Sequence, residues 1–223
     1  VEELPRLAGT LGIAAVYANH DYEPAALDRD AAVAHALADH GIAFRTFKDQ
    51  VVFERAEVMT QAGKPFTVFT PYRNAWLKAL APSHLVPHDV DAHAAALAPP
   101  PQAEDRGLPT LAAMGFARTN LAALGIVAGM PGGAARFADF RERIGDYKAS
   151  RDFPAVKGPS YLSVHLRFGT VSVRELVAYA HACSLRAGGD GAATWLSELV
   201  WREFYAQILW HYPHVVAAAF KPE

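Results

Sequence analysis

Within WLSELVWREFY, residues 195 to 205, two tryptophans, two glutamates, an arginine and a tyrosine stand in an otherwise apolar run. On a helix, at about 100° per residue, Trp195, Glu198, Trp201, Arg202 and Tyr205 share roughly one third of the circumference. Leu196, Val200 and Phe204 take the other side. The apolar side suits burial, so the polar and aromatic stripe either pairs internally or lines a cavity. Two readings follow. Glu198 and Arg202, four apart, form a helix ion pair while the tryptophans fill the core. Alternatively, the aromatic planes stack on a flat heterocycle, and the carboxylate accepts hydrogen bonds from it.

Two further stretches carry chemistry. In GPSYLSVHLRFGTVSVRE, residues 158 to 175, Ser160 and Ser163 stand at a predicted helix start, whose amides have no intrahelical partners and can cradle a phosphate. Ordinary N-capping by the same serines is the alternative. Arg167 and Gly169 stand just downstream, where they could support a second turn. In YKASRDFP, residues 147 to 154, Tyr147 and Arg151 lie one turn apart on a helix, and a solvated helix end accounts for them equally well.

The positioning elements change in type along the chain. LGIAAVYAN (11 to 19) has the length and β-branching of a buried strand, and DYEP follows as a turn. Residues 24 to 40 predict a helix, with Pro24 at its first position and Gly41 as its left-handed cap. IAFRTF (42 to 47) predicts a second strand, so the whole is strand, helix, strand with a parallel crossover, preceded by a helix-like VEELPRLAGTLG. The alanine- and proline-dense stretch from Leu80 to Gly107, with its PPP run, reads as a connection. FADFRERIGDYKASRDFP then predicts a helix ending before Pro154, with helical segments continuing to about residue 217.

Composition bounds the function. With 223 residues, 52% of them hydrophobic, the chain can build one large or two modest domains around a sizeable core. A formal charge of −2 leaves no overall basic footprint, so nucleic-acid contact needs a local patch. Residues 147 to 223 hold eight Lys or Arg against six Asp or Glu, leaving thirteen against seventeen before them. The single cysteine, Cys183, excludes an internal disulfide framework and fits a reducing compartment, so the expected location is the cytoplasm. No apolar run reaches the roughly 18 to 20 residues of a membrane span, and VEELPRLAGT has neither a basic leader nor an apolar core.

In order along the chain, Tyr147, Arg151-Asp152-Phe153-Pro154, Ser160-Tyr161-Leu162-Ser163, Leu166-Arg167-Phe168-Gly169 and the run from Trp195 to Tyr205 closely resemble the DNA photolyase and cryptochrome family. The likeness extends upstream through VYANHDYEP, FKDQVVFE and KPFTVFTPYRNAWLKAL. The WREFY ending is more similar to bacterial dimer photolyases of the class I type than to signalling cryptochromes.

The resemblance implies an α/β fold: an incomplete N-terminal parallel-sheet, Rossmann-like layer (1–80), a Pro/Ala-rich linker (81–130) and the first part of a helical FAD-binding domain (131–223). It assigns FAD to Tyr147, Ser160, Tyr161, Leu162, Ser163 and Trp195. It assigns the flipped-out pyrimidine dimer of damaged DNA to Glu198 and Trp201, with Arg151, Arg202 and Tyr205 on the DNA side. The implied reaction is light-driven repair of cyclobutane pyrimidine dimers, by electron transfer from reduced FAD, in a monomer with no membrane partner. An antenna chromophore of folate or deazaflavin type is also implied, and HDYEP at 20 to 24 either borders its site or is a simple turn.

The family pattern extends beyond both ends, so the chain is expected to be an internal stretch of such a protein, inactive alone. Three positions depart from the pattern: Pro159 replaces a threonine and removes a phosphate donor, and Val164 and Val173 stand where prolines are common. A cryptochrome-like photoreceptor and a non-catalytic α/β binding module remain the alternatives.

Overall fold

The computed structural model describes residues 1–99, 109–120 and 123–221. Its first part is a thin α/β layer. Helix α1 (Glu3–Thr10) leads to strand β1 (Ala15–Asn19), helix α2 (Pro24–Ala38) crosses over, and β2 (Ala43–Phe47) returns parallel to β1. Register runs from Ala15 opposite Ala43 to Asn19 opposite Phe47. Pro24 does open α2, and Gly41 follows it at φ +70°, the left-handed conformation that glycine adopts without steric cost. One face of the layer closes a small core of Ala8, Val33, Leu37 and Ile42, with Val16 and Phe44 against it. On the strands, Tyr17 and Phe47 stack at 5.9 Å and remain exposed.

The main core belongs to the helices. It collects Phe137 and Phe140 of α4 (Gly129–Arg141), Leu176 and Val177 of α7 (Val173–Ser184), and Trp195, Leu199, Val200 and Phe204 of α8 (Asp190–His211). Val52, Phe53 and Val58, which lie before the proline-rich connection, join the same core with Tyr72 and Trp76 of α3 (Phe69–Ala79). The apolar residues of 51 to 79 therefore pack into the helical unit, while Glu54 bonds His20 and Tyr22 just after β1. Between Leu80 and α4 the described residues form short 3-10 turns at Pro82–Leu85 and Asp91–Ala96, and most of the PPP run lies outside the described residues.

The helix expected from FADFR to Pro154 is broken. α4 ends at Arg141, a 3-10 turn covers Ile144–Asp146, and the short helix α5 spans Tyr147–Ser150. The cause is packing. Ile144 is buried, and the carbonyls of Ile144 and Gly145 lie under the start of α8, where Gly191 leaves room for them. After α5 comes the five-residue helix α6 (Ser163–Arg167), which ends into Gly169 at φ +62°. Helix α7 is capped by Ser172, whose hydroxyl accepts from the Glu175 amide at 3.4 Å. No described helix is long and apolar enough to cross a membrane.

Candidate functional site

Helix α8 presents its Trp195-to-Tyr205 stripe unevenly. Trp195 is 3% exposed and sits in the core, 4.7 Å from Phe140 and 6.3 Å from Phe137. Trp201 is half-buried and lies flat on Phe69 of α3, at 3.6 Å between centroids and 8° between planes. Tyr205 stacks beside it at 5.5 Å and is exposed. A groove of about 330 Å³ opens at this point, lined by Arg73, Lys148, Arg151, Ser197, Glu198 and Trp201. Arg151 from the turn after α5 therefore meets Glu198 and Trp201 of α8 on one surface.

The ion pair is not the one that spacing suggests. Glu198 accepts from Arg151 of the turn after α5, whereas Arg202 turns away and donates to the Gln50 carbonyl. Burial pulls the Arg202 pKa down. At Arg151 burial acts in the same direction, but the Glu198 and Asp152 carboxylates outweigh it and raise that pKa. Arg202 instead lines a second groove of about 510 Å³ with Asn19, Asp49, Gln50 and Arg167.

The serine loop is held from behind. Arg143 Nη1 donates to the carbonyls of Lys157, Gly158 and Pro159, each at 2.8 Å, and its other terminal nitrogen reaches Asp139 at 3.1 Å. The guanidinium also lies 5.0 Å from the Phe140 ring centroid and 5.9 Å from that of Tyr161. Tyr161 takes φ +56° and Leu162 is fully buried, so the chain turns sharply over that anchor. Neither serine caps α6: its cap residue is Leu162, with no side-chain cap bond, and Ser160 Oγ accepts only from the Leu162 amide at 3.4 Å. Tyr161 and Ser163 line a third groove of about 510 Å³ with Arg136, Lys157 and His165. Tyr147 is buried edge-on against Phe140, at 5.8 Å, with its hydroxyl pKa raised mainly by burial.

These residues suit the phosphate end of a dinucleotide such as FAD. The serine hydroxyls are not spent on capping, and Ser163 shares its groove with Arg136 and with Lys157, which is paired to Asp139.

Two contributors carry no signal of their own in a motif reading. Arg73 and Lys148 join the Trp201 groove, and Arg73 Nε is buried without a hydrogen-bond partner. Glu203, the second glutamate of WREFY, is 1% exposed. It accepts from the Val52 amide at 2.5 Å, the Phe53 amide at 3.1 Å and Trp76 Nε1 at 2.6 Å. Burial nevertheless pushes its pKa up to about 7, against those three donors and the nearby Arg202. At about 100° per residue Glu203 falls between Leu196 and Leu199, and a carboxylate inside an apolar face was the available signal.

The DNA photolyase family model matches residues 1–99. A deoxyribodipyrimidine photo-lyase of Halobacterium salinarum is 36% identical over 227 residues, covering 98% of this chain and 46% of that protein. The chain belongs to the DNA photolyase and cryptochrome family. Its fold superposes on a bacterial class III photolyase from Agrobacterium tumefaciens with a TM-score of 0.82, at 26% identity, over 98% of this chain and 45% of that one. A Synechocystis cryptochrome shares the fold at a TM-score of 0.71 and 21% identity, over 94% of this chain and 44% of that one. The chain spans about half the length of the curated photolyases it matches.

Proposed function

We propose that the protein carrying this chain splits cyclobutane pyrimidine dimers in DNA, using light and FAD. The observation that carries this reading is the groove in which Arg151, Glu198 and Trp201 converge: an aromatic plate, a hydrogen-bonding carboxylate and a basic rim. A flipped-out pyrimidine pair offers flat rings to the indole and imide N–H groups to the Glu198 carboxylate, and its flanking phosphates face Arg151. Reduced flavin, when bound, supplies under blue or near-UV light the electron that opens the dimer and receives it back. The side chains move no proton in that cycle. They hold the lesion, exclude water and set the electrostatic environment in which charge is briefly separated.

Tyr147 and the loop from Ser160 to Ser163 bind the phosphates and ribose of FAD, and Trp195 stiffens the wall behind them through Phe140. Residues 1–80 supply the α/β part together with a segment and helix α3 that pack on α8, 81–130 serve as connector, and 131–223 as the first part of the flavin-binding unit. A folate- or deazaflavin-type antenna chromophore belongs with the α/β part in this reading, and HDYEP is either the border of its site or a simple turn. The single cysteine and the DNA substrate fit a cytoplasmic monomer.

The deciding experiment illuminates the protein carrying this chain, loaded with FAD and photoreduced, in the presence of an oligonucleotide holding one thymine dimer. Light-dependent return of the pyrimidine absorbance near 260 nm supports the reading. A protein that releases no flavin on denaturation and leaves the dimer intact overturns it.

A further inference from the structure

Between β2 and α3 the chain has no regular structure, yet it is held tightly along α8. Glu203 takes the Val52 and Phe53 amides, Arg202 reaches the Gln50 carbonyl, Gln207 Nε2 donates to the Phe66 carbonyl at 2.8 Å, and His211 Nε2 stands 3.1 Å from the Arg55 carbonyl. Residues 203, 207 and 211 repeat every fourth position, so one edge of the helix supplies partners to a strap that has only a few turn bonds of its own. Two residues beyond Thr67 the strap enters α3 at Phe69, and Phe69 lies face to face with Trp201. The other edge of α8 carries that indole.

We propose that Phe69 is a positioning residue for Trp201: the strap, clipped to one edge of α8, delivers a backing plate that fixes the plane of the indole at the other. The inference rests on the reading of Trp201 as part of the lesion wall and goes beyond it, because it makes residues before the connector part of lesion recognition. Trp201 sits at the rim of a groove and is only half-buried, so its ring is not confined by core packing on all sides. Phe69 at 3.6 Å on one side, with Phe204 edge-on and Tyr205 stacked, each at 5.5 Å, opposes rotation about χ1 and χ2. A lesion then meets a surface already aligned, and none of its binding free energy is lost to ordering the indole.

The test compares Phe69→Leu, which keeps apolar volume but removes the flat plate, with the conservative Phe69→Tyr. Trp201 emission is isolated by subtracting the spectrum of the matching Trp201→Phe chain, and its acrylamide quenching is measured. Affinity for a thymine-dimer oligonucleotide is measured beside that for the undamaged sequence. Phe69→Leu should raise Trp201 quenching and weaken dimer binding roughly three- to tenfold, with undamaged DNA bound as before, and Phe69→Tyr should restore both. Should Phe69→Leu fail to fold, Phe69→Met fills the site with a more adaptable chain and is read in the same way. A folded variant with unchanged Trp201 quenching and unchanged dimer preference overturns the positioning role. If the unsubstituted protein itself shows no preference for the dimer, the repair reading falls, and with it the lesion part of this inference.

Discussion

The Glu198 carboxylate is paired with the Arg151 guanidinium across α8 and the end of α5, and not with Arg202 one turn along its own helix. The two arginines of this region therefore do different work. Arg151 is about one third exposed on the rim of the Trp201 groove, where a DNA phosphate can replace part of its pairing. Arg151→Ala should lower the slope of log K against log salt by about 1 for dimer-bearing and undamaged DNA alike. Arg202→Ala should leave that slope unchanged and reduce stability by about 1 kcal/mol, because the half-buried Gln50 carbonyl loses its donor. Equal salt slopes for Arg151→Ala and the unsubstituted protein would refute the assignment.

Glu203 makes stability depend on pH in a defined direction. Its folded pKa, pushed up to about 7, lies above the ordinary carboxyl value of 4.5. Between those values the folded state holds more protons than the unfolded one, so the contribution is fully present below about pH 4.5 and is lost as pH rises through about 7. Arg202, Tyr72 and Tyr22 are the charged and titratable neighbours. Melting temperature followed from pH 5 to pH 8 should therefore fall. Glu203→Gln should remove the fall, and it should cost stability at every pH, since its amide N–H₂ would face one of three donors. A Glu203→Gln profile parallel to that of the unsubstituted chain would show that another group titrates.

How much of this was legible in the sequence follows from where the partners lie. α2 could be read because its signals are local: Pro24 at the first turn and Gly41 just past the end. The stripe on α8 could be read because helical periodicity is local too. The partners of Glu198 and Arg202 could not, since an arginine 47 positions away and a carbonyl 152 positions away outcompeted a neighbour at four. The break at Ile144–Asp146 was hidden for the same reason: nothing in FRERIGDYKAS announces that α8 will rest on its carbonyls. Residues 51 to 58 carry no period of two or 3.6. Their burial is set by the Glu203 carboxylate on α8, which accepts from the Val52 and Phe53 amides and which no reading of that segment alone supplies.

Arg143 should matter to the cofactor without touching it. Its three bonds to the carbonyls of Lys157, Gly158 and Pro159 set the path of the loop that presents Ser160 and Ser163. Arg143→Ala leaves those carbonyls without their donor, so hydrogen exchange across 157–163 should accelerate and FAD retained after desalting should drop. Arg143→Lys should rescue little, because one ammonium cannot reproduce a planar fork that reaches three carbonyls and Asp139 together. Full flavin retention in Arg143→Ala would show that the loop holds its shape unaided.

The start of α8 offers the sharpest test of the packing itself. A Cβ at Gly191 would lie 2.1 Å from the Gly145 carbonyl oxygen and 2.3 Å from that of Ile144, both backbone atoms that cannot swing aside. A Cβ at Gly145, on the other side of the same contact, would meet nothing within 4 Å. Gly191→Ala must therefore push α8 away from the 3-10 turn that leads into Tyr147. Helix propensity alone would favour alanine there by roughly 0.5–1 kcal/mol, so a net loss measures the collision. Gly191→Ala should lower the melting temperature by several degrees, corresponding to about 1–3 kcal/mol, while Gly145→Ala should change it little. Because the turn and α8 carry Tyr147 and Glu198 respectively, the same variant should weaken flavin retention and dimer binding together. Gly191→Ala with undiminished stability would mean that α8 does not approach the turn this closely.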